Sequence, residues 1–138
     1  MKYLCLAYGL ERDWLRLTMA EQESLLAEDD LLRERGDLVA TLGGTATTVR
    51  AWAGEPLAIE GPLSVTPLPL VGFSVIEAAN LEEAIRLVQG TPCARARGAI
   101  ELRPILTMNL PAWSSGESPR PRQDAAGAEE PASPSAGA

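Results

Sequence analysis

Apolar positions run through residues 2–8 without leaving a polar side. Leu4, Leu6 and Tyr8 share one face and Tyr3, Cys5 and Ala7 the other. A strand of this kind has to be covered front and back. Gly9 ends it, and Trp14, Leu15 and Leu17 within residues 11–17 predict a short helical turn. Thr18-Met19-Ala20-Glu21 then has the spacing of a capping box. The helix it opens is expected to run to about Arg35, with Gly36 just past its end. Leu25, Leu26 and Leu32 mark its apolar side, Asp29 and Asp30 are expected to face solvent, and Arg33 and Arg35 suit the negative end of its dipole.

Residues 37–42 predict a second strand, Gly43-Gly44 a turn, and residues 46–52 a third strand in which Thr47, Thr48 and Val49 supply β propensity. After a turn at 53–56, Leu57-Ala58-Ile59 reads as a short hairpin partner for that strand. Pro62, Pro67 and Pro69 exclude a central strand from residues 61–69, which read as a rigid loop. The run 70–78 is another strand apolar on both faces. Asn80 is a good N-cap for a helix whose Leu81, Ala84, Ile85 and Val88 fall at i, i+3, i+4 and i+7. Gly90 closes that helix and Pro92 stops it, Cys93 falls in a loop, and residues 98–104 form the last strand. From Asn109 the composition shifts to Pro, Ser, Gly and Ala, so residues 109–138 read as a disordered tail in which Trp113 alone has reason to dock.

The predicted class is α+β: one domain over residues 1–108, with an antiparallel sheet and two helices on one face. Two amphipathic helices cover only one side of such a sheet, yet the strands at 2–8 and 70–76 are apolar on both. A second copy of the sheet is the economical cover, and a homodimer through sheet faces follows. The competing arrangement is a monomer whose loop 61–69 or tail folds across the open face.

Charge narrows the partners. The chain of 138 residues carries a formal charge of −7, and residues 1–108 hold 15 acids against 10 bases. That balance argues against a phosphate backbone as partner. The N-terminal apolar run stops at Gly9, too short for a signal-peptide core or a membrane span. Cys5 and Cys93 read as free thiols in a reducing cytoplasm rather than a secreted disulfide framework.

Met1-Lys2-Tyr3-Leu4-Cys5-Leu6-Ala7-Tyr8-Gly9, Thr47-Thr48-Val49-Arg50, Glu60-Gly61-Pro62-Leu63, Gly72-Phe73 and Gly98-Ala99-Ile100-Glu101-Leu102-Arg103-Pro104-Ile105 stand in an order that resembles the YciI-like family, in its DGPF branch. The resemblance covers roughly residues 1–106. It implies a ferredoxin-like βαβ-ββαβ fold that dimerises through its sheets into an α+β barrel, in small bacterial proteins. Some of these are associated with extracytoplasmic-function sigma factors. The departures concern chemistry. The family's Asp-Gly-Pro-Phe stands here as Glu60-Gly61-Pro62-Leu63, and the polar run usual after it is replaced by Ser64-Val65-Thr66-Pro67-Leu68-Pro69. Enzymatic relatives lean on a His–Asp pair, and this chain has no histidine.

Without histidine, a general base has to be a carboxylate of raised pKa, or a perturbed Cys or Tyr. Glu60, Glu77 and Glu101 are the carboxylate candidates. Glu60 reads either as a pocket-rim acid paired with Arg50 or as a turn residue accepting backbone N–H bonds. Arg50 and Arg103 read either as an anion clamp or as cross-strand ion-pair partners of nearby glutamates. Tyr8, where such barrels open, either donates to a ligand or simply packs its ring. Cys93 as a nucleophile has only Arg95 nearby to lower its pKa. The chain has no zinc-ligand spacing, phosphate loop or Ser-His-Asp set, and no metal or cofactor is expected. Three functions stay open: a non-catalytic homodimeric module for a small molecule or a regulatory protein; an enzyme using Glu60, Tyr8 and Arg50 on a small organic substrate; and, from the resemblance alone, an accessory role in sigma-factor signalling. The loss of ionisable groups from residues 64–69 favours the first.

Overall fold

The structure, a computed structural model, describes residues 1–109. The tail expected to be disordered lies outside the described residues, apart from Asn109. Met1–Leu106 forms one compact unit. The elements run β1 (Lys2–Tyr8), α1 (Glu11–Leu15), α2 (Met19–Glu34), β2 (Leu38–Thr41), β3 (Thr47–Arg50), β4 (Leu57–Glu60), β5 (Leu70–Glu77), α3 (Leu81–Val88), α4 (Pro92–Arg95) and β6 (Ala99–Pro104).

The ends of α2 are built by local chemistry. The Thr18 hydroxyl accepts from the Glu21 N–H at 3.1 Å while the Glu21 carboxylate accepts from the Thr18 N–H at 2.8 Å, which completes the expected capping box. At the other end Gly36 takes a left-handed φ of 94°. Its N–H reaches the Arg33 carbonyl at 2.9 Å, and the Asp37 N–H reaches the Leu32 carbonyl at 3.0 Å. That is a Schellman closure, and only a residue without Cβ adopts it cheaply. For α3, the Asn80 side chain caps the Glu83 N–H at 2.9 Å, as the sequence predicts.

β2, β5, β1 and β6 form a four-stranded antiparallel sheet in that order. The order is consistent with a ferredoxin-like split-βαβ arrangement, in which the two central strands are not consecutive in the chain. β3 and β4 pair only with each other, so they form a separate two-stranded ribbon rather than part of the main sheet. On the covered face, Tyr3 and Cys5 of β1 and Ile76 of β5 pack with Leu32 of α2 and with Ala84 and Val88 of α3. Burying a side chain such as Leu32 or Ile76 contributes about 1.5–3 kcal/mol.

Two expectations are corrected here. The apolar stripe of α3 is turned from the one predicted: Ala84 and Val88 are buried and Leu87 packs against the core, whereas Leu81 and Ile85 are exposed. The buried line of α3 runs through Ala84 and, one turn on, Val88. Pro92 does not merely stop α3. It occupies the first turn of α4, where its missing N–H costs nothing, so Cys93 lies on a helical turn rather than in a loop.

The other face of the sheet carries Leu4 and Leu6 of β1, opposite Val75 and Phe73 of β5 in register, and Tyr8, which meets Leu70 after a register shift between Ala7 and Tyr8. None of these residues belongs to the buried core. Glu101 and Arg103 of β6 stand on the same face, opposite Leu6 and Leu4.

Candidate ligand cavity

Beneath α1, α2 and α4 the covered face of the sheet is hollow. A cavity of about 470 Å³ opens there. Its floor is made of small side chains at the centre of the sheet: Cys5 and Ala7 of β1, Gly72 and Ser74 of β5. Val39 and Ile100 close the floor at the flanking strands, and Leu26, Asp29 and Leu32 of α2 form the roof. Trp14 of α1 and Cys93 and Ala96 of α4 complete the wall. The placement of Trp14 has a local cause: its carbonyl accepts from the Gln22 amide at 3.0 Å, which ties α1 to α2. Cys93 can approach β1 because residue 9 is glycine; a Cβ there would meet the Cys93 sulfur at 3.3 Å.

The cavity is chiefly apolar, and its ionisable groups respond to that. Burial pushes the Asp29 carboxyl above the usual aspartate range, with Arg33 partly opposing and Asp30 adding to the shift. Burial also raises the Cys93 thiol, and the Asp29 charge raises it further. Cys5 is raised by burial too, with Ser74 opposing and Asp37 adding slightly. Both thiols are therefore held protonated at neutral pH, the reverse of what activates a cysteine nucleophile. The Thr91 hydroxyl, also on the wall, is engaged with the Val88 carbonyl at 2.6 Å.

Asp29 is the site residue that the sequence reading missed, since it was expected in solvent beside Asp30. Asp30 does face solvent and pairs with Arg33 at 2.8 Å. Asp29, by contrast, lies three residues after Leu26 and three before Leu32, inside the apolar stripe of α2. A carboxylate at helical spacing within a leucine stripe was the available signal.

The residues singled out from the sequence lie elsewhere. Glu60 pairs with Thr47 and Arg50 with Leu57 across the β3–β4 ribbon. Three residues of strand separate these pairs, roughly 10 Å, and an odd offset puts the two side chains on opposite faces. The chain does not bring Glu60 and Arg50 together. The Arg50 guanidinium lies instead over the Trp52 ring, 4.9 Å from its centroid. Tyr8 is half-buried on the face away from the helices with Leu4 and Leu6, across the sheet from the cavity. Glu77 is engaged by the N-terminal ammonium and by Lys2, whose Nζ lies 3.2 Å away. Those two hydrogen bonds lower the Glu77 pKa, opposite to what a general base near neutrality needs. Glu101 pairs with Arg103 at 2.6 Å, along one strand rather than across two.

No helix among the described residues is long and apolar enough to cross a membrane. No cluster of three or more acidic, cysteine or histidine side chains there has metal-binding proximity.

Residues 1–109 match the family model of the YCII-related domain. An uncharacterized protein of Rhizobium meliloti (strain 1021) is 32% identical over 114 residues, which span 76% of this chain and 92% of that relative. With the match spanning the whole of the described fold, the chain belongs to the YCII-related domain family.

Proposed function

We propose that this YCII-related domain acts as a homodimer that binds a small organic molecule between its sheet and its helices, without performing chemistry on it. The cavity carries the reading. Its volume of about 470 Å³ falls within the range of roughly 300–1,000 Å³ typical of small-molecule sites. Protein interiors are normally filled to crystal-like density. Here four central floor positions hold Cys, Ala, Gly and Ser, none large enough to fill the space under α2. A binding rather than catalytic role rests on the chemistry of the wall: there is no histidine, and both thiols are pushed toward the protonated form.

The dimer is supported by two surfaces with the same need. One is the apolar sheet face around Leu4, Leu6, Phe73 and Val75. The other is the β3–β4 ribbon, which leaves Val49 at 62% and Leu57 at 57% exposure. A lone two-stranded ribbon is marginal in water. A second copy gives both surfaces a cover. The two unpaired cysteines favour a reducing compartment, so we assign the protein to the cytoplasm.

Native mass spectrometry of protein purified from its own host tests both parts at once. The expected species has twice the 14.7 kDa chain mass plus the mass of a small organic molecule. A bare monomer overturns the proposal. A single chain carrying a different polypeptide would replace it with a protein-partner role.

A further inference from the structure

We infer that the occupant of the cavity is a hydrophobic amine, an apolar body with one cationic nitrogen held by Asp29, with Trp14 on the same wall. This rests on the binding role proposed above and adds the ligand's chemical class. The first observation is the sign of the wall. The charged residues lining the cavity are Asp29 and Glu11, both acidic, and neither Lys nor Arg lines it. The second is the treatment of aspartates. Among the described residues, Asp13, Asp30 and Asp37 each have an arginine within 4.0 Å, namely Arg16, Arg33 and Arg35. Asp29 has no hydrogen-bond or ion-pair partner there, although Arg33 is one helical turn away; that guanidinium is committed to Asp30 at 2.8 Å.

Asp29 is only part-buried and its oxygens stay within reach of water, so a ligand that displaces that water has to replace what it donated. Ionised, the carboxylate only accepts hydrogen bonds, so its missing partner has to donate. An anion would meet two like charges. A hard metal ion needs several oxygen ligands, whereas most of this wall is hydrocarbon. An ammonium on an apolar body satisfies both features: its nitrogen meets Asp29, its carbon skeleton lies on the small-residue floor, and the indole of Trp14 offers a cation a favourable π face.

Calorimetric titration of the full chain with three matched probes tests the inference: naphthylmethylamine, naphthylmethanol and naphthoic acid. The amine is expected to bind about tenfold tighter than the alcohol, because its positive charge adds a Coulomb attraction to the Asp29 carboxylate that a neutral hydroxyl lacks. The acid should bind weakest. Asp29→Asn should erase the preference for the amine over the alcohol, and Glu11→Gln, at the exposed rim, should lower the preference less. Equal affinity for amine and alcohol, or tightest binding of the acid, overturns the amine inference and leaves the cavity as a binding site. Failure of all three probes to bind at millimolar concentration overturns both the inference and the binding role beneath it.

Discussion

Asp29 places a charge where the fold would be more stable without one. Its pKa is raised on folding, so protonation favours the folded state. The associated stability is fully present below the unfolded aspartate value and is lost as pH rises through the folded one. Asp29→Asn, which mimics the neutral acid, should therefore raise the thermal midpoint at pH 7, with the gain vanishing once pH falls below the ordinary aspartate range. Thermal denaturation at the two pH values reads this directly, and a midpoint lowered at pH 7 would contradict it. Glu77 behaves in the opposite sense. Its lowered pKa gives stability that is present above the unfolded glutamate value and fades as pH drops through the folded one. A destabilising charge in a cavity wall suits a binding group better than a structural one. The two neighbouring aspartates show what sequence alone carries: spacing from Leu26 and Leu32 separates them, while their adjacency in the chain invites reading them as one exposed pair.

α2 forms the roof of the cavity, and its ends do much to hold it there, since Leu32 is its only fully buried residue. Packing contributes little along most of this helix, so its capping matters more than in a well-buried one. Thr18→Ala removes one half of the capping box and should cost about 1 kcal/mol. For a domain of this size that is a fall of roughly 4–8 °C in the thermal midpoint. A change within error would mean that contacts elsewhere hold the helix start. The same logic explains why the helix ends and most strands were legible. Thr18, Gly36 and Asn80 act on backbone groups a few residues away, so the signal and its consequence share one window. The rotation of α3 was not legible, because Leu81 and Ile85 fit the same helical spacing as Ala84 and Val88, and only packing in the folded chain decides which of them are buried. The segregation of β3 and β4 was also hidden. Their propensities announce a hairpin, and nothing local states whether it joins the larger sheet.

The arrangement as a whole combines a legible surface with a hidden interior. Strands apolar on both faces, with helices enough for one, already implied a sheet face without helices, and Leu4, Leu6, Phe73 and Val75 lie on it, each half-buried. The cavity was not implied by any pattern, because a hollow is the distance between a helix and a sheet, and small residues read individually as ordinary strand positions. Cys5, Ala7, Gly72 and Ser74 acquire meaning together only when β1 and β5 pair in register, which sets Cys5 against Ser74 and Ala7 against Gly72. If the hollow is a ligand site, filling it should stabilise the fold and abolish binding. Ala7→Leu adds hydrocarbon to the floor without touching Asp29 or the sheet face away from the helices. Thermal denaturation of this variant with and without naphthylmethylamine decides the matter. The midpoint is predicted to rise, as cavity filling commonly adds about 0.5–2 kcal/mol, and to stop responding to the amine. A midpoint lowered by the roughly 1–3 kcal/mol that overpacking costs, or an undiminished response to the amine, would contradict a ligand cavity at this place in the fold.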